Sequence, residues 1–231
     1  MSGNRVPAPI WNKHIKSLPK YPIFKQEWEI ELADTLNRYL AQKDIGKTLE
    51  VGCSNGRWLR WCADNLTCEC YGLDSDPAGF EDNKIEFRVG DARRMTYHDE
   101  TIDLVFSLGL LEHFEYEDRR RILAEQTRVL KRGGFLLCQV PNLFGSLEYI
   151  YVKYHYDFKQ GFVHHIVRPR EIHHILKSFG FETVISRFTG NFFERFAWNK
   201  VRKTYQVRKH LASIRLGVLS RTEYIVLARR L

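Results

Sequence analysis

Five short strand-like runs recur between Lys47 and Val140, and their spacing leaves the chain few folds to choose from. They lie at 47–51 (KTLEV), 69–73 (ECYGL), 84–89 (KIEFRV), 102–107 (IDLVFS) and 134–140 (GFLLCQV). Runs of this length, rich in branched and aromatic side chains, are strand signals. Helical candidates fall between them at 56–65 and 117–131, with a short turn near 77–82. Gly133-Gly134 reads as a helix stop before the fifth run. Strand, helix, strand at this spacing predicts an α/β fold, a mainly parallel sheet covered by helices on both faces. Upstream, a proline-punctuated arm (Pro7, Pro9, Pro19, Pro22) leads into 23–42, where Ile30, Ala33, Leu36 and Leu40 recur at helical spacing.

The pattern changes after Pro141. The segment 147–158 (LEYIYVKYHYDF) is dense in aromatics and is neither a clean strand nor a clean helix. A helix is expected at 169–179, with Pro169 in its first turn and Gly180 just past its end. The runs 181–188 (FETVISRF) and 223–230 (EYIVLARR) read as strands able to pair as an antiparallel edge of the same sheet. Between them, 191–211 reads as a basic helix. The expected organisation is an N-terminal arm and helix at 1–45 and a core at 46–140. Residues 141–231 then supply an insertion and the closing strands of the same domain.

Charge separates these parts. The chain has 231 residues and a formal net charge of +8. Residues 1–140 hold 20 Lys/Arg against 22 Asp/Glu, whereas 141–231 hold 16 against 6, together with 16 of the 31 aromatics. The later part is therefore the one expected to meet something anionic, aromatic or membranous. A hydrophobic share of 44% argues against disorder. No run approaches the roughly 18 apolar residues of a spanning helix, and the start lacks an apolar leader, so a cytoplasmic location is expected. Five cysteines without a C-x-x-C pair disfavour both a disulfide framework and a zinc site. The histidines at 155, 164, 165, 173 and 174 have no acid at ligand spacing, and no metal is expected.

The chemistry concentrates where the first run ends, in Glu50-Val51-Gly52-Cys53-Ser54-Asn55-Gly56. Gly52 and Gly56 permit tight turning and close backbone approach. The dinucleotide fingerprint G-x-G-x-x-G is not met, since positions 52, 54 and 57 read Gly, Ser, Arg. Glu50 would also set a negative charge beside a pyrophosphate, so a cation-bearing ligand suits the loop better and a dehydrogenase is disfavoured. Asp74 ends the second run, where a carboxylate can accept both hydroxyls of a ribose. Asp91-Ala92 follow the third, placed to accept from an adenine amino group and to meet a ring nitrogen.

Taken in order, E-V-G-C-S-N-G, L-D-S-D-P, G-D-A, I-D-L-V-F-S-L-G-L-L-E-H-F and V-L-K-R-G-G-F-L-L resemble the class I S-adenosylmethionine-dependent methyltransferases. The nearest flavour is the small-molecule (UbiE/UbiG-like, type 11) branch. The likeness is strong over 46–140 and weaker over 163–188. It implies a Rossmann-like, mainly parallel seven-stranded sheet with an antiparallel last strand. It also implies S-adenosylmethionine as cofactor and S-adenosylhomocysteine as product. Under that resemblance Glu50, Gly52 and Gly56 border the methionine part of the cofactor, with Cys53 and Ser54 lining the same loop. Asp74 holds the ribose, with Ser75 and Asp76 beside it, and Asp91 and Ala92 meet the adenine. Ser107 and Leu108 face the sulfonium, and His113 lies further toward the substrate. His113 and His165 are the candidate catalytic bases.

The aromatic run Tyr149, Tyr151, Tyr154, Tyr156 and Phe158 is expected to form a lid over a small hydrophobic or aromatic acceptor. Nucleic acid is the second choice of partner, since Arg195, Lys200, Arg202, Lys203, Arg208, Lys209 and Arg215 follow one another with no acid between Glu194 and Glu223. The same 191–215 stretch suits peripheral membrane contact. Against base methylation, Ser107-Leu108-Gly109-Leu110 is not the Asn/Asp-Pro-Pro-aromatic motif that grips exocyclic base amines. A methyltransferase-like binding module without turnover is the remaining alternative. Oligomeric state is not legible.

Overall fold

The computed structural model describes residues 27–40, 43–76, 82–143, 146–192 and 221–231. Helix α1 (Glu27–Leu40) precedes β1 (Lys47–Val51), α2 (Arg57–Asn65), β2 (Glu69–Asp74), β3 (Ile85–Val89) and β4 (Ile102–Leu108). A 3-10 turn (Leu111–His113) then leads to α3 (Tyr116–Val129) and β5 (Leu130–Pro141). Helix α4 (Leu147–Val152) continues as a π-helical stretch (Lys153–Phe158), followed by α5 (Pro169–Ser178), β6 (Phe181–Thr189) and β7 (Glu223–Arg230).

The strands form one seven-stranded sheet in the order β3-β2-β1-β4-β5-β7-β6. Neighbours from β3 to β5 are parallel, and β7 inserts antiparallel between β5 and β6. The strand order reverses between β1 and β4. In open α/β sheets the crevice outside the carboxyl ends of the strands at that reversal is where ligands bind.

Period-two alternation assigns each strand residue to one of two cores. Val105, Leu136, Cys138, Val140, Tyr224, Val226 and Ala228 face α3 and α5, through Ile122, Leu123, Ile172, Ile175 and Leu176. Leu104, Phe106, Phe135, Leu137, Ile225 and Leu227 face α1 and α2, through Leu32, Leu36, Leu40, Trp58, Trp61 and Cys62. Leu32, Leu36 and Leu40 are one helical turn apart and no more than 1% exposed, and each contributes about 1.5–3 kcal/mol of burial. β7 reads as a continuous apolar run because it is covered on both faces.

Several expectations shift. Helix α3 ends at Val129 and β5 begins at once at Leu130, so Gly133-Gly134 lies inside the strand rather than between helix and strand. Leu130 is already extended (φ −78, ψ 133). The pairing with β4 jumps from Ile102↔Leu130 to Leu104↔Phe135, which bulges the intervening residues outward. Gly134 is required there, since a Cβ would lie 2.9 Å from the Asp103 carbonyl oxygen. The aromatic segment 147–158 is helical after all, with a change of helical pitch at Lys153 that blurs its sequence periodicity. The arm at 1–26, most of the 77–82 turn and nearly all of the basic 191–211 stretch lie outside the described residues. Among the described residues no helix is long and apolar enough to cross a membrane.

Candidate active site

The loop after β1 is shaped by backbone geometry that its residues accept at different cost. Gly52 has φ +77°, and a Cβ there would lie 2.8 Å from Leu110 Cδ1, so both conformation and space call for glycine. Gly56 (φ 70°) starts α2 without a side-chain cap. Ser54 takes the left-handed region at φ 52° and is held there, its N–H donating to Asp74 Oδ2 at 2.8 Å. The N–H groups of Gly52 and Cys53 both donate to the Leu73 carbonyl, at 2.8 and 3.1 Å. The turn is thus laced to the end of β2.

Two carboxyls converge on this turn. Glu50 is 4% exposed, and its Oε2 is buried without a hydrogen-bond partner, as is Ser54 Oγ. Burial pushes the Glu50 carboxyl well above the usual range; Arg57 opposes this and the charge of Asp74 adds to it. Asp74, 6% exposed, is also raised by burial, with the backbone N–H groups of Ser54, Asp76 and Ser75 pulling the other way. A buried acid with an unmatched oxygen is a costly arrangement unless a ligand completes it.

The remaining cofactor-side candidates divide. Cys53 joins the loop through its backbone only. Its side chain is 2% exposed and packs in the α1/α2 core against Gly72 and Leu59. Ser75 is exposed and contributes its N–H to Asp74. Asp91 is clasped by Arg93, whose Nη2 lies 2.6 Å from its Oδ2, and Arg93 reaches on to Asp118 at 2.8 Å. The Arg93 backbone N–H also donates to Asp91 Oδ1, at 2.9 Å, so backbone and guanidinium together fix the carboxylate. Ala92 is half-buried beside it against the α3/α5 core. Ser107 is fully buried, its hydroxyl donating to Cys138 Sγ across to β5, and Leu108 leans on the α1/α2 core.

On the acceptor side the strap 163–165 is stitched to the 3-10 turn. The His165 N–H donates to the Glu112 carbonyl at 2.7 Å, and His113 Nδ1 lies 3.2 Å from the Val163 carbonyl oxygen. A carbonyl only accepts, so Nδ1 is the donor in this contact. The ring that meets His113 is that of His164, 4.7 Å away between centroids, rather than that of His165. His164 Nδ1 donates to Asp157 Oδ1, while Asp157 Oδ2 accepts from Lys153 Nζ at 2.6 Å. Burial lowers the His164 pKa, with Asp157 opposing. Asp157 ends below its ordinary range because its bonds to Lys153 and His164 outweigh its burial. Tyr156 and Phe162 wall this pair, 6.0 Å from the His164 ring. Beneath it, Glu112 is 3% exposed with Oε2 unpartnered, and burial pushes its carboxyl up to about 8.

His164, Asp157, Glu112 and Arg93 escaped sequence reasoning. The Lys153–Asp157 spacing of four was a helical signal, but the π-stretch obscured it. Among the described residues no group of three or more His, Cys, Asp or Glu is arranged to hold a metal ion.

Residues 49–138 match the family described as a methyltransferase domain. Over these 90 of the chain's 231 residues the sequence is similar to methyltransferase domains. Over 108 residues, 42% of the chain, it is 30% identical to a probable chloroplastic tocopherol O-methyltransferase of Oryza sativa subsp. japonica, covering 29% of that protein. Over 96 residues, 40% of the chain, it is 34% identical to a tRNA (carboxymethyluridine(34)-5-O)-methyltransferase of Arabidopsis thaliana, covering 23% of it. The chain thus spans less than a third of the length of these two relatives. A SAM-dependent methyltransferase from Archaeoglobus fulgidus superposes with a TM-score of 0.66 at 19% identity, over 87% of this chain and 94% of that one. At that identity the likeness speaks to the fold. The segment matched by the family runs from β1 to β5.

Proposed function

We propose that the chain transfers a methyl group from S-adenosylmethionine to a small acceptor held under the 147–165 segment. The observation that carries this reading is the convergence of Glu50 and Asp74 on one glycine turn, with Glu50 Oε2 buried and unmatched. That arrangement fits a ligand with a ribose and an ammonium: Asp74 accepts from the hydroxyls and Glu50 faces the cation. Asp91, held by Arg93, takes the adenine end with Ala92. When bound, the cofactor supplies a methyl group made electrophilic by its sulfonium.

The protein's part is alignment, exclusion of water and, for an acidic acceptor, a place for the proton. His113 Nε2 is the proton acceptor in this reading. The His164–Asp157 pair positions it, and the backbone of His165 anchors the strap. Tyr156 and Phe162 favour a hydrophobic or aromatic acceptor, in keeping with the tocopherol-methylating relative. The test is transfer of labelled methyl from S-adenosylmethionine to a panel of phenols, amines and isoprenoid-bearing rings, with calorimetry of cofactor binding alongside. Binding without transfer to any acceptor would favour a binding module.

An RNA acceptor is the second reading. It is favoured by the tRNA-methylating relative and the cationic excess of residues 141–231. Salt-dependent RNA binding that is lost on removing 193–220 would support it.

A further inference from the structure

The helix over 147–158 is built inside out. In a surface helix the polar side chains face water and the apolar ones face the core. Here Glu148 is fully buried, and Lys153 and Asp157 turn inward to each other and to the 164 strap. The outward positions are instead apolar: Ile150 is 66% exposed, Tyr154 50% and Phe158 81%, with Tyr149 beside them at 38%. The spacing of four keeps Ile150, Tyr154 and Phe158 in line. An α-turn carries the fourth residue slightly past a full turn and the π-turn brings it slightly short of one. Tyr154 and Phe158 accordingly stack, 6.1 Å apart and 12° from parallel.

We propose that this outer face docks on an anionic lipid bilayer, placing the acceptor site beside the membrane surface. Three features select a bilayer over a protein groove. The four side chains offer on the order of 500 Å² of apolar area, short of the ~800 Å² per partner of a stable protein pair. Shallow insertion at the headgroup–acyl boundary needs no more than one such stripe. The stripe is edged with interfacial chemistry, since the Lys159 ammonium lies 4.5 Å from the Tyr154 ring centroid, a cation able to stay at headgroup level while the ring inserts. Finally, residues 141–231 carry 16 Lys/Arg against 6 Asp/Glu, a charge complementary to anionic headgroups.

Because the inner side of the same helix carries Asp157 against His164, a bilayer on the outer face brings an amphiphilic acceptor within reach of His113. That consequence rests on the methyltransferase reading, whereas the docking does not. The full chain is to be co-sedimented with vesicles of phosphatidylcholine alone and of phosphatidylcholine mixed with phosphatidylglycerol. Binding is expected to the mixed vesicles and to weaken about tenfold in the Ile150→Ser/Phe158→Ser variant. Cofactor affinity by calorimetry should stay unchanged, which shows that the variant is folded. Absence of vesicle binding, or a variant that binds as tightly as the parent, overturns the proposal. So does a concentration-dependent dimer that the variant abolishes, which would assign the face to a second copy. Failure of methyl transfer to every acceptor would remove the amphiphile consequence and leave vesicle binding as the measure of the docking.

Discussion

The Ser54 N–H donates to Asp74 Oδ2 at 2.8 Å, so the glycine turn after β1 and the acid that ends β2 form one unit. A change at Asp74 therefore disturbs a ligand contact and the shape of the loop together.

Asp74→Ala is expected to abolish cofactor binding, and Asp74→Asn to weaken it by at least about tenfold. An amide presents only one acceptor oxygen, so it cannot serve both the Ser54 N–H on Oδ2 and the Asp76 N–H on Oδ1, and it loses the charge that strengthens both. Calorimetry with S-adenosylhomocysteine measures this directly. Unchanged affinity in Asp74→Ala would remove the residue from the site.

Gly52→Ala should destabilise the fold by about 1–3 kcal/mol and lose cofactor affinity. The added Cβ meets Leu110 at 2.8 Å in a conformation, φ +77°, that alanine resists. Denaturant unfolding of the variant, paired with Leu110→Ala in the same background, separates the clash from the strain. Full recovery by Leu110→Ala would mean that backbone strain contributes nothing.

His113→Ala is expected to lower kcat by about 10²-fold or more with little change in KM. His164→Ala, a change at a positioning residue, should cost about tenfold. The ring of His164 holds that of His113 from 4.7 Å and is itself fixed by Asp157. Steady-state kinetics on an accepted substrate, with Asp157→Asn as a third variant, would show whether these effects travel together. Undiminished turnover in His113→Ala would rule it out as the base.

Glu112 makes stability depend on pH. Its carboxyl is raised to about 8 by burial, above the ordinary glutamate value of 4.5. Between those values the folded chain keeps a proton that the unfolded chain has released, so stability falls as pH rises through that window. The loss is on the order of a few kcal/mol as an upper bound. Glu112→Gln should flatten the slope, a gain visible as a higher Tm than the parent near pH 8 and a smaller difference near pH 5. Parallel curves would show that Glu112 does not titrate in this range.

Much of the fold was legible because local rules suffice for it. Strand runs such as 47–51 and 223–230 matched their elements, the second because a strand covered on both faces carries a continuous apolar stretch. Element ends were less legible. Gly133-Gly134 carries the sequence signature of a helix stop, yet the bulged pairing of β5 with β4 claims those glycines for the strand. On the cofactor side, Glu50, Gly52, Gly56 and Asp74 are found together because motif order follows strand order. Cys53 and Ser107 were picked for their place in a motif, but the direction of a side chain depends on which neighbour it packs against.

By itself, then, the sequence determined the mainly parallel sheet and the acidic glycine turn, whereas the reversal of strand order between β1 and β4 came from the structure. Sheet and turn follow from residue types at short spacing, where backbone geometry leaves one choice. Only the tertiary structure decided which histidine meets His113, that Asp157 fixes it, and that the helix over 147–158 turns its charges inward and its aromatics out. Those outcomes depend on contacts between segments distant in sequence, such as the strap at 163–165 against the turn at 111–113. No local periodicity records which face of a helix another segment will cover.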